Sequence, residues 1–235
     1  MAALECVAGA DWALIERALN ERGHAVIRNA FRGAACEHAR RLYAQEALFR
    51  SRIVMARHGF GQGEYQYFAY PLPEPIGSLR QALYTRLAPV ANAWSIALGA
   101  EAGYPATLQA FLETCHAQGQ TRPTPLLLKY GQGDYNRLHQ DLYGGVQFPL
   151  QAAVLLSAPG RDFEGGEFVL TETAPRRQTR AEVVPLGQGD MVIFAVNHRP
   201  VRSAKGFSRI AMRHGVSTLR GGERITLGII LHDAA

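Results

Sequence analysis

The hydrophobic positions change their period near residue 120 of this 235-residue chain. Before that point they recur at helical spacing. Asp11 is placed to cap a helix running to about Glu21, with Trp12, Leu14, Ile15 and Leu19 as its apolar stripe. A short strand is expected over His24–Arg28, then an Ala-rich helix over residues 33–47 with Arg on its outer face. A third helix, over residues 76–98, opens after Pro75 and carries Leu79, Leu83, Leu87, Val90 and Trp94 at helical spacing. Pro89 inside it predicts a kink or a break. A fourth helix is expected over residues 105–117, beginning at Pro105. Between the second and third lies Arg52–Pro73, with Gly59, Gly61 and Gly63 followed by Tyr65, Tyr67, Phe68 and Tyr70. That segment reads either as a hairpin whose aromatics pack on the core or as a loop lining a pocket mouth.

After residue 120 the pattern is that of strands: Pro125–Tyr130, Arg137–Leu142, Gln151–Ser157, Glu167–Thr173, Glu182–Pro185, Asp190–Val196, Ser208–Met212, Val216–Leu219 and Arg224–His232. Glycine pairs such as Gly144-Gly145, Gly165-Gly166 and Gly221-Gly222 punctuate them. Short strands at regular spacing with such turns predict a sandwich, barrel or jelly roll. The fold class expected is therefore mainly β with a helical N-terminal layer (α+β). Residues 1–120 form the helical region with its strand and aromatic hairpin, and residues 121–235 the β core, as one integrated domain.

Composition narrows the class of protein. The hydrophobic fraction is 47% and the charged fraction 19%, which is ordinary for a globular chain. No apolar run reaches the ~18 residues of a spanning helix. Met1–Ala10 has no Lys or Arg ahead of its short apolar stretch, so no secretory leader is expected. Cys6, Cys36 and Cys115 are odd in number and widely spaced, which points to free thiols in a reducing compartment, the cytoplasm. The net charge of +5 comes mostly from scattered Arg, so nucleic acid is permitted as a partner without being singled out.

The candidate chemistry begins at His139-Gln140-Asp141. Residues two apart in a strand share a face, so His139 and Asp141 can grip one metal ion. His-x-Asp alone is common by chance. His214 downstream can supply a second imidazole, and Arg224 follows it by ten residues, just past Gly221-Gly222. Two His and one carboxylate with positions left open form the donor set of non-haem Fe(II) oxygenases. An Arg nearby offers a planar fork for the carboxylate of an oxo-acid. His198 is the rival second imidazole, with Arg209 eleven residues on. His214 is preferred because its Arg lies across a tight glycine turn. Parity then asks for a hairpin with a three-residue loop, Arg220-Gly221-Gly222, which would put Arg224 opposite Thr218 and on the inward face with His214.

These residues resemble the Fe(II)- and 2-oxoglutarate-dependent dioxygenases of the double-stranded β-helix (jelly roll, cupin-like) fold. The resemblance is to their prolyl-hydroxylase-like branch, and within it to a bacterial 2-oxoglutarate–iron oxygenase family. The matching pieces are Tyr130-Gly131-Gln132-Gly133, Leu138-His139-Gln140-Asp141, Phe163-Glu164-Gly165-Gly166-Glu167-Phe168, Gly189-Asp190-Met191-Val192-Ile193-Phe194, Arg213-His214-Gly215-Val216-Ser217 and Arg224-Ile225-Thr226-Leu227-Gly228. The run Tyr67-Phe68-Ala69-Tyr70-Pro71-Leu72-Pro73 extends the match toward the N-terminus.

The resemblance implies Fe(II) on His139, Asp141 and His214, with 2-oxoglutarate and dioxygen as co-substrates. Arg224 would pair with the distal carboxylate of 2-oxoglutarate, and Tyr130 would donate its hydroxyl to the same molecule. A second tyrosine that related enzymes carry on the strand after the triplet is missing from Gln151–Ser157, so the second hydrogen bond to that carboxylate comes from elsewhere, with Ser157 as the candidate, or is absent. Tyr65 and Tyr67 are expected to border the substrate entrance, and His58 to face substrate from the glycine-rich loop. The implied reaction is hydroxylation of a C–H bond of a prolyl, amino-acid or peptide substrate, with release of succinate and CO2. The alternatives are a nucleic-acid dealkylating dioxygenase and a non-catalytic cupin-like binding module. A small molecule or peptide is the expected partner, nucleic acid is possible, and no membrane is involved.

Overall fold

The computed structural model describes residues 2–235. Met1, the first residue of the stretch read for a leader, lies outside the described residues. Five α-helices, α1 (Ala2–Gly9), α2 (Trp12–Arg22), α3 (Gly33–Leu42), α4 (Ile76–Ala97) and α5 (Leu108–Ala117), all precede residue 120. In the same region lie β1 (His24–Ile27), β2 (Phe49–Val54), β3 (Gly61–Gln62) and β4 (Glu64–Phe68). The remainder is strand: β5 (Leu126–Tyr130), β6 (Tyr135–His139), β7 (Leu150–Leu155), β8 (Phe163–Gly165), β9 (Phe168–Thr173), β10 (Arg180–Val184), β11 (Met191–Ala195), β12 (His198–Ser203), β13 (Gly206–Val216), β14 (Leu219–Gly222) and β15 (Arg224–Ile229).

The strands form a seven-stranded sheet in the order β1-β11-β7-β15-β5-β4-β2 and a second sheet in the order β10-β9-β13-β6-β3, with β12 on β13. A two-stranded piece, β14 with β8, lies beside them. The two larger sheets meet through Phe168 of the second and Phe194 of the first, whose rings are 5.0 Å apart. This is the expected double-stranded β-helix. The N-terminal region adds β1 to one edge of the first sheet and β2 with β4 to the other.

Side-chain parity assigns the two faces of the seven-stranded sheet. Leu127, Ala152, Val154, Met191, Ile193, Ile225, Leu227 and Ile229 share one core with Leu79, Leu83, Leu87, Ala91 and Trp94 of α4. Residues of the opposite parity, among them Leu128, Tyr130, Gln151, Ala153, Phe194, Arg224 and Thr226, line an internal cavity instead. Because the first face lies under helices and the second faces the other sheet, these strands read as nearly continuous apolar runs. Helix α4 runs through Pro89 without a break. Both Pro89 and Thr85, whose carbonyl the proline leaves unpaired, are exposed, so the break in the ladder lies on the solvent side while the buried stripe carries the helix onward.

Other boundaries shift for local reasons. Helix α3 stops at Leu42 where a helix to residue 47 was predicted, and the carbonyl of Tyr43 accepts instead from Gln66 Nε2 at 2.9 Å. Helix α5 starts at Leu108, capped by Thr107, and not at Pro105. The strand predicted over Ser208–Met212 is part of the longer β13, which has a bulge between His214 and Val216, while of the strand predicted over Val216–Leu219 only Val216 belongs to β13 and Leu219 opens β14. At the C-terminus the buried pair Arg80–Asp233 (2.8 Å) ties the tail to α4, and Arg80 Nε also holds the Ile230 carbonyl at 2.9 Å.

Asp11 does cap α2, accepting from the Leu14 amide at 3.1 Å, and Gly23 ends the helix in the left-handed conformation. Asp11→Ala is expected to lower stability by about 1 kcal/mol, read from denaturant unfolding. An unchanged midpoint would mean that the cap is redundant with packing of the helix.

Candidate active site

His139, Asp141 and His214 converge, each offering a ligand atom within 4.8 Å of the others'. Asp141 Oδ1 lies 3.4 Å from His139 Nε2 and Asp141 Oδ2 lies 3.3 Å from His214 Nε2. The two imidazoles come from paired strands, with His139 of β6 directly opposite His214 of β13 and the rings 4.2 Å apart. Asp141, however, does not share a strand with His139. Strand β6 ends at His139, because Gln140 Nε2 donates to the carbonyls of Asn197 (3.0 Å) and Met212 (2.8 Å) and turns the chain out of the ladder. The carboxylate therefore reaches the imidazoles from a loop.

The donor atoms are prepared for a cation. His139 Nδ1 faces the Arg137 carbonyl at 2.7 Å, which places its proton there and leaves Nε2 as the free lone pair. Burial alone would raise the Asp141 carboxyl, but the hydrogen bonds and charges of His139 and His214 outweigh it and hold the group well below its ordinary range. Burial works against a charge on His139, but the hydrogen bond and charge of Asp141 outweigh this and raise that imidazole, whereas burial and the neighbouring His139 lower the His214 imidazole. Two neutral-capable imidazoles and one ionised carboxylate suit Fe(II). His198, the rival, sits on β12 opposite Ala211 and outside this cluster.

Arg224 is 2% exposed and lies opposite Tyr130 on the neighbouring strand. It reaches the cavity wall by a route other than the predicted hairpin. Gly221 and Gly222 belong to β14, which pairs with β8, and His214 and Arg224 stand in different sheets. Gly222 has φ +80°, and a Cβ there would lie 2.1 Å from the Asp162 carbonyl oxygen, so this glycine serves a close strand crossing and not a hairpin tip. The Arg224 Nη1 donates to Thr226 Oγ1 at 2.6 Å, while its Nε is buried with no partner. The guanidinium meets aromatic rings, Tyr130 at 5.7 Å and Phe163 at 6.0 Å, but forms no ion pair among the described residues. Burial pushes it down to about 10. A desolvated cation without a counter-ion is costly, and a carboxylate of an oxo-acid fits the vacancy in its hydrogen bonding.

The cavity, ≈ 410 Å³, takes in the three clustered residues, Arg224, Thr226, Tyr130 and Tyr65. That volume accommodates a small co-substrate with part of a second molecule. Tyr130 is buried and accepts from Asn136 Nδ2 at 3.3 Å. Tyr65 lines the cavity, whereas Tyr67 is 7% exposed and packs edge-on against Tyr65 and Tyr143; for Tyr67 the core placement replaces the expected one at the entrance. His58 is exposed and stacks on Phe60 at 5.3 Å, and it is Phe60, 48% exposed, that reaches the cavity mouth. Ser157 accepts from the Ile225 amide at 2.9 Å and does not line the cavity, whereas Thr226 lies on the cavity wall beside Arg224. Sequence reasoning missed Thr226, Tyr143 and Gln151. Only the parity of Thr226 with Arg224 could have pointed to the first.

Among solved structures, the chain is similar to an oxidoreductase of the 2OG-Fe(II) oxygenase family from Burkholderia pseudomallei, at 16% identity and TM-score 0.53 over 97% of this chain and 94% of that one. A Pseudomonas putida prolyl-4-hydroxylase matches at 16% identity and TM-score 0.50, over 92% of this chain and 96% of the other. At these identities the likeness is one of fold. In sequence, the uncharacterized protein Rv2227 of Mycobacterium tuberculosis is 45% identical over 207 residues, 86% of this chain and 89% of that protein. Residues 63–234 match the Oxygenase-NA family, described as an oxygenase catalysing oxidative methylation of damaged DNA. The match takes in every residue of the clustered site, and the chain belongs to that oxygenase family.

Proposed function

We propose that this oxygenase uses Fe(II), 2-oxoglutarate and dioxygen to hydroxylate an alkyl carbon on a damaged base in DNA. The observation that carries the co-substrate is the buried Arg224, which forms no ion pair among the described residues and lines the same cavity as His139, Asp141 and His214. The family description supports the substrate class. His139, Asp141 and His214 would hold the iron, while Arg224 with Thr226 would take the distal carboxylate and Tyr130 would add its hydroxyl. Iron with 2-oxoglutarate, when bound, supplies the oxidising power that replaces C–H by C–OH, with succinate and CO2 as co-products.

The chain itself supplies placement. The apolar and aromatic walls, Leu126, Leu128, Phe168 and Phe194, keep water from the reacting carbon. Phe60 and Leu142 line the cavity as exposed apolar groups, and Arg137, whose amide donates to the Phe60 carbonyl at 2.9 Å, is an exposed cation. Such a surface suits an unstacked base resting on an aromatic ring while its phosphate meets a guanidinium group. Gly61 brings the loop there. Strand β3 lies on β6 so closely that a Cβ at Gly61 would stand 2.3 Å from the Tyr135 carbonyl oxygen. A hydroxyl placed on an N-methyl carbon makes a hemiaminal, which collapses to formaldehyde and the restored N–H.

The prolyl or peptide substrate that headed the sequence reading is the comparison arm of the test. Protein loaded with Fe(II) is given 2-oxoglutarate and either a single-stranded oligonucleotide carrying an N-methylated base or a proline-containing peptide. Formaldehyde in step with succinate, from the oligonucleotide alone, is the expected result. Stimulation by the peptide alone would reverse the reading. Phe60→Ala should lower oligonucleotide-driven turnover by roughly 5- to 150-fold, the worth of about 1–3 kcal/mol of base stacking, and leave the slow substrate-free succinate release intact.

A further inference from the structure

The Asp141 carboxylate is gripped from both of its oxygens by residues that are not themselves in the ligand cluster. The Tyr143 hydroxyl donates to Oδ1 at 2.7 Å, and Gln151 Nε2 donates to Oδ2 at 2.7 Å. We infer that Tyr143 and Gln151 are positioning residues for the metal centre: they fix the rotation of the Asp141 carboxylate so that its remaining lone pairs stay turned toward the space it shares with His139 Nε2 and His214 Nε2. This inference rests on the iron-site reading above and is independent of the DNA reading.

Three observations carry it. First, Asp141 sits on a loop beyond the end of β6, so no ladder holds its side chain in place. A carboxylate on such a segment is free to rotate about its terminal bond unless its oxygens are tied. Second, the two ties come from unrelated directions. Gln151 projects from β7, in the first sheet, on the cavity-facing parity, and its side chain is buried. Its amide orientation is dictated, because an ionised carboxylate only accepts and the amide must present nitrogen to it. Gln151 Nε2 also stands 3.4 Å from His214 Nε2, which brings the β7 side chain to the junction of carboxylate and imidazole. Third, Tyr143 is itself braced. Its ring meets Tyr67 edge-on at 6.2 Å, and Tyr67 meets Tyr65 edge-on at 5.3 Å. The buried Tyr67 thus has a role as a wall that sets the Tyr143 ring, and the Arg50 guanidinium 4.4 Å above the Tyr67 ring closes that wall from outside.

A metal ligand that is oriented by a neighbouring donor binds its ion more tightly, typically by 10–100-fold relative to the variant that lacks the donor. Tyr143→Phe keeps the ring in its aromatic wall and removes only the hydroxyl. Gln151→Leu keeps the side-chain volume and removes the amide. Each is expected to weaken binding of Fe(II), or of Co(II) as a redox-stable probe, by about 10- to 100-fold in anaerobic calorimetry without 2-oxoglutarate or substrate. The visible band of the anaerobic Fe(II)–2-oxoglutarate complex should shift or fade in both variants, a change that a space-filling residue would not cause. Asp141→Ala is the control that fixes the scale of complete loss. Parent-like metal affinity and an unshifted band in both Tyr143→Phe and Gln151→Leu, with binding lost in Asp141→Ala, would overturn the positioning role while leaving the iron site standing. Unchanged metal binding in Asp141→Ala would instead overturn the iron site itself.

Discussion

Asp141→Ala is expected to reduce succinate formation from 2-oxoglutarate to the background of the metal-free protein, a fall of roughly 10³-fold or more because ligands that act as one unit fail together. The reason is local. Asp141 is the only carboxylate in the cluster with His139 and His214, and its removal leaves two imidazoles to compete for a divalent cation. The fold should survive. The substitution strands the Tyr143 hydroxyl and the Gln151 amide, a penalty of about 1–3 kcal/mol for each buried group left unsatisfied, while the helix-covered core on the far side of the sheet is untouched. Succinate yield and the circular dichroism spectrum together check this. Parent-rate turnover in a folded variant would remove Asp141 from the site. His198→Ala belongs in the same assay and should retain activity, since His198 is fixed opposite Ala211 on β12, away from the cluster.

Much of the site was legible because its chemistry is local in sequence or constrained by parity. His139 and Asp141 are two residues apart, so almost any backbone path brings them within reach of one ion, and the structure does so although β6 ends between them. The strands after residue 120 were visible from their apolar content and glycine punctuation, because burial on both faces leaves few polar positions to confuse the pattern. What misled was pairing. Leu219 to Arg224 looked like the tip of a hairpin because a Gly-Gly pair is one of the dipeptides that favour such a turn. The same glycines serve equally where two backbones pass closely, as Gly222 does against Asp162. Sequence alone does not reveal that β15 pairs with β5 and β7 instead of β13, since the partners lie about seventy or more residues away. Arg224 still faces inward, but its parity is set by Tyr130 on β5. Tyr143 and Gln151 were missed for separate reasons: Tyr143 lies two residues after Asp141 on an irregular segment where strand parity gives no guide, and Gln151 reaches Asp141 from β7 of the other sheet, which leaves no spacing to read. Tyr67 shows the limit of an i, i+2 argument. It shares a face with Tyr65, yet the ring of Tyr143 covers it, so only Tyr65 reaches the cavity.

Arg224→Met should weaken 2-oxoglutarate binding by roughly 30- to 4,000-fold, the equivalent of about 2–5 kcal/mol for truncating one side of a buried, hydrogen-bonded charge pair. Metal binding measured without 2-oxoglutarate should be unchanged, because Arg224 is absent from the clustered ligands. The stability of the metal-free protein supplies an independent check with the opposite sign. In that state the guanidinium is buried, its Nε has no partner, and its only hydrogen bond to a side chain among the described residues is to Thr226. Replacing an unpaired buried cation by an apolar side chain of similar length is neutral or stabilising, so Arg224→Met should unfold at an equal or higher denaturant concentration than the parent. Addition of 2-oxoglutarate should stabilise the parent and leave the variant unmoved, since a ligand raises stability only in proportion to its binding to the folded state. Arg224→Lys should fall between the two in 2-oxoglutarate affinity, as a lysine retains the charge but not the planar fork that grips a carboxylate through two parallel bonds. Should Arg224→Met bind 2-oxoglutarate as the parent does, the buried guanidinium is not the carboxylate anchor, and the assignment of this co-substrate to the cavity fails with it.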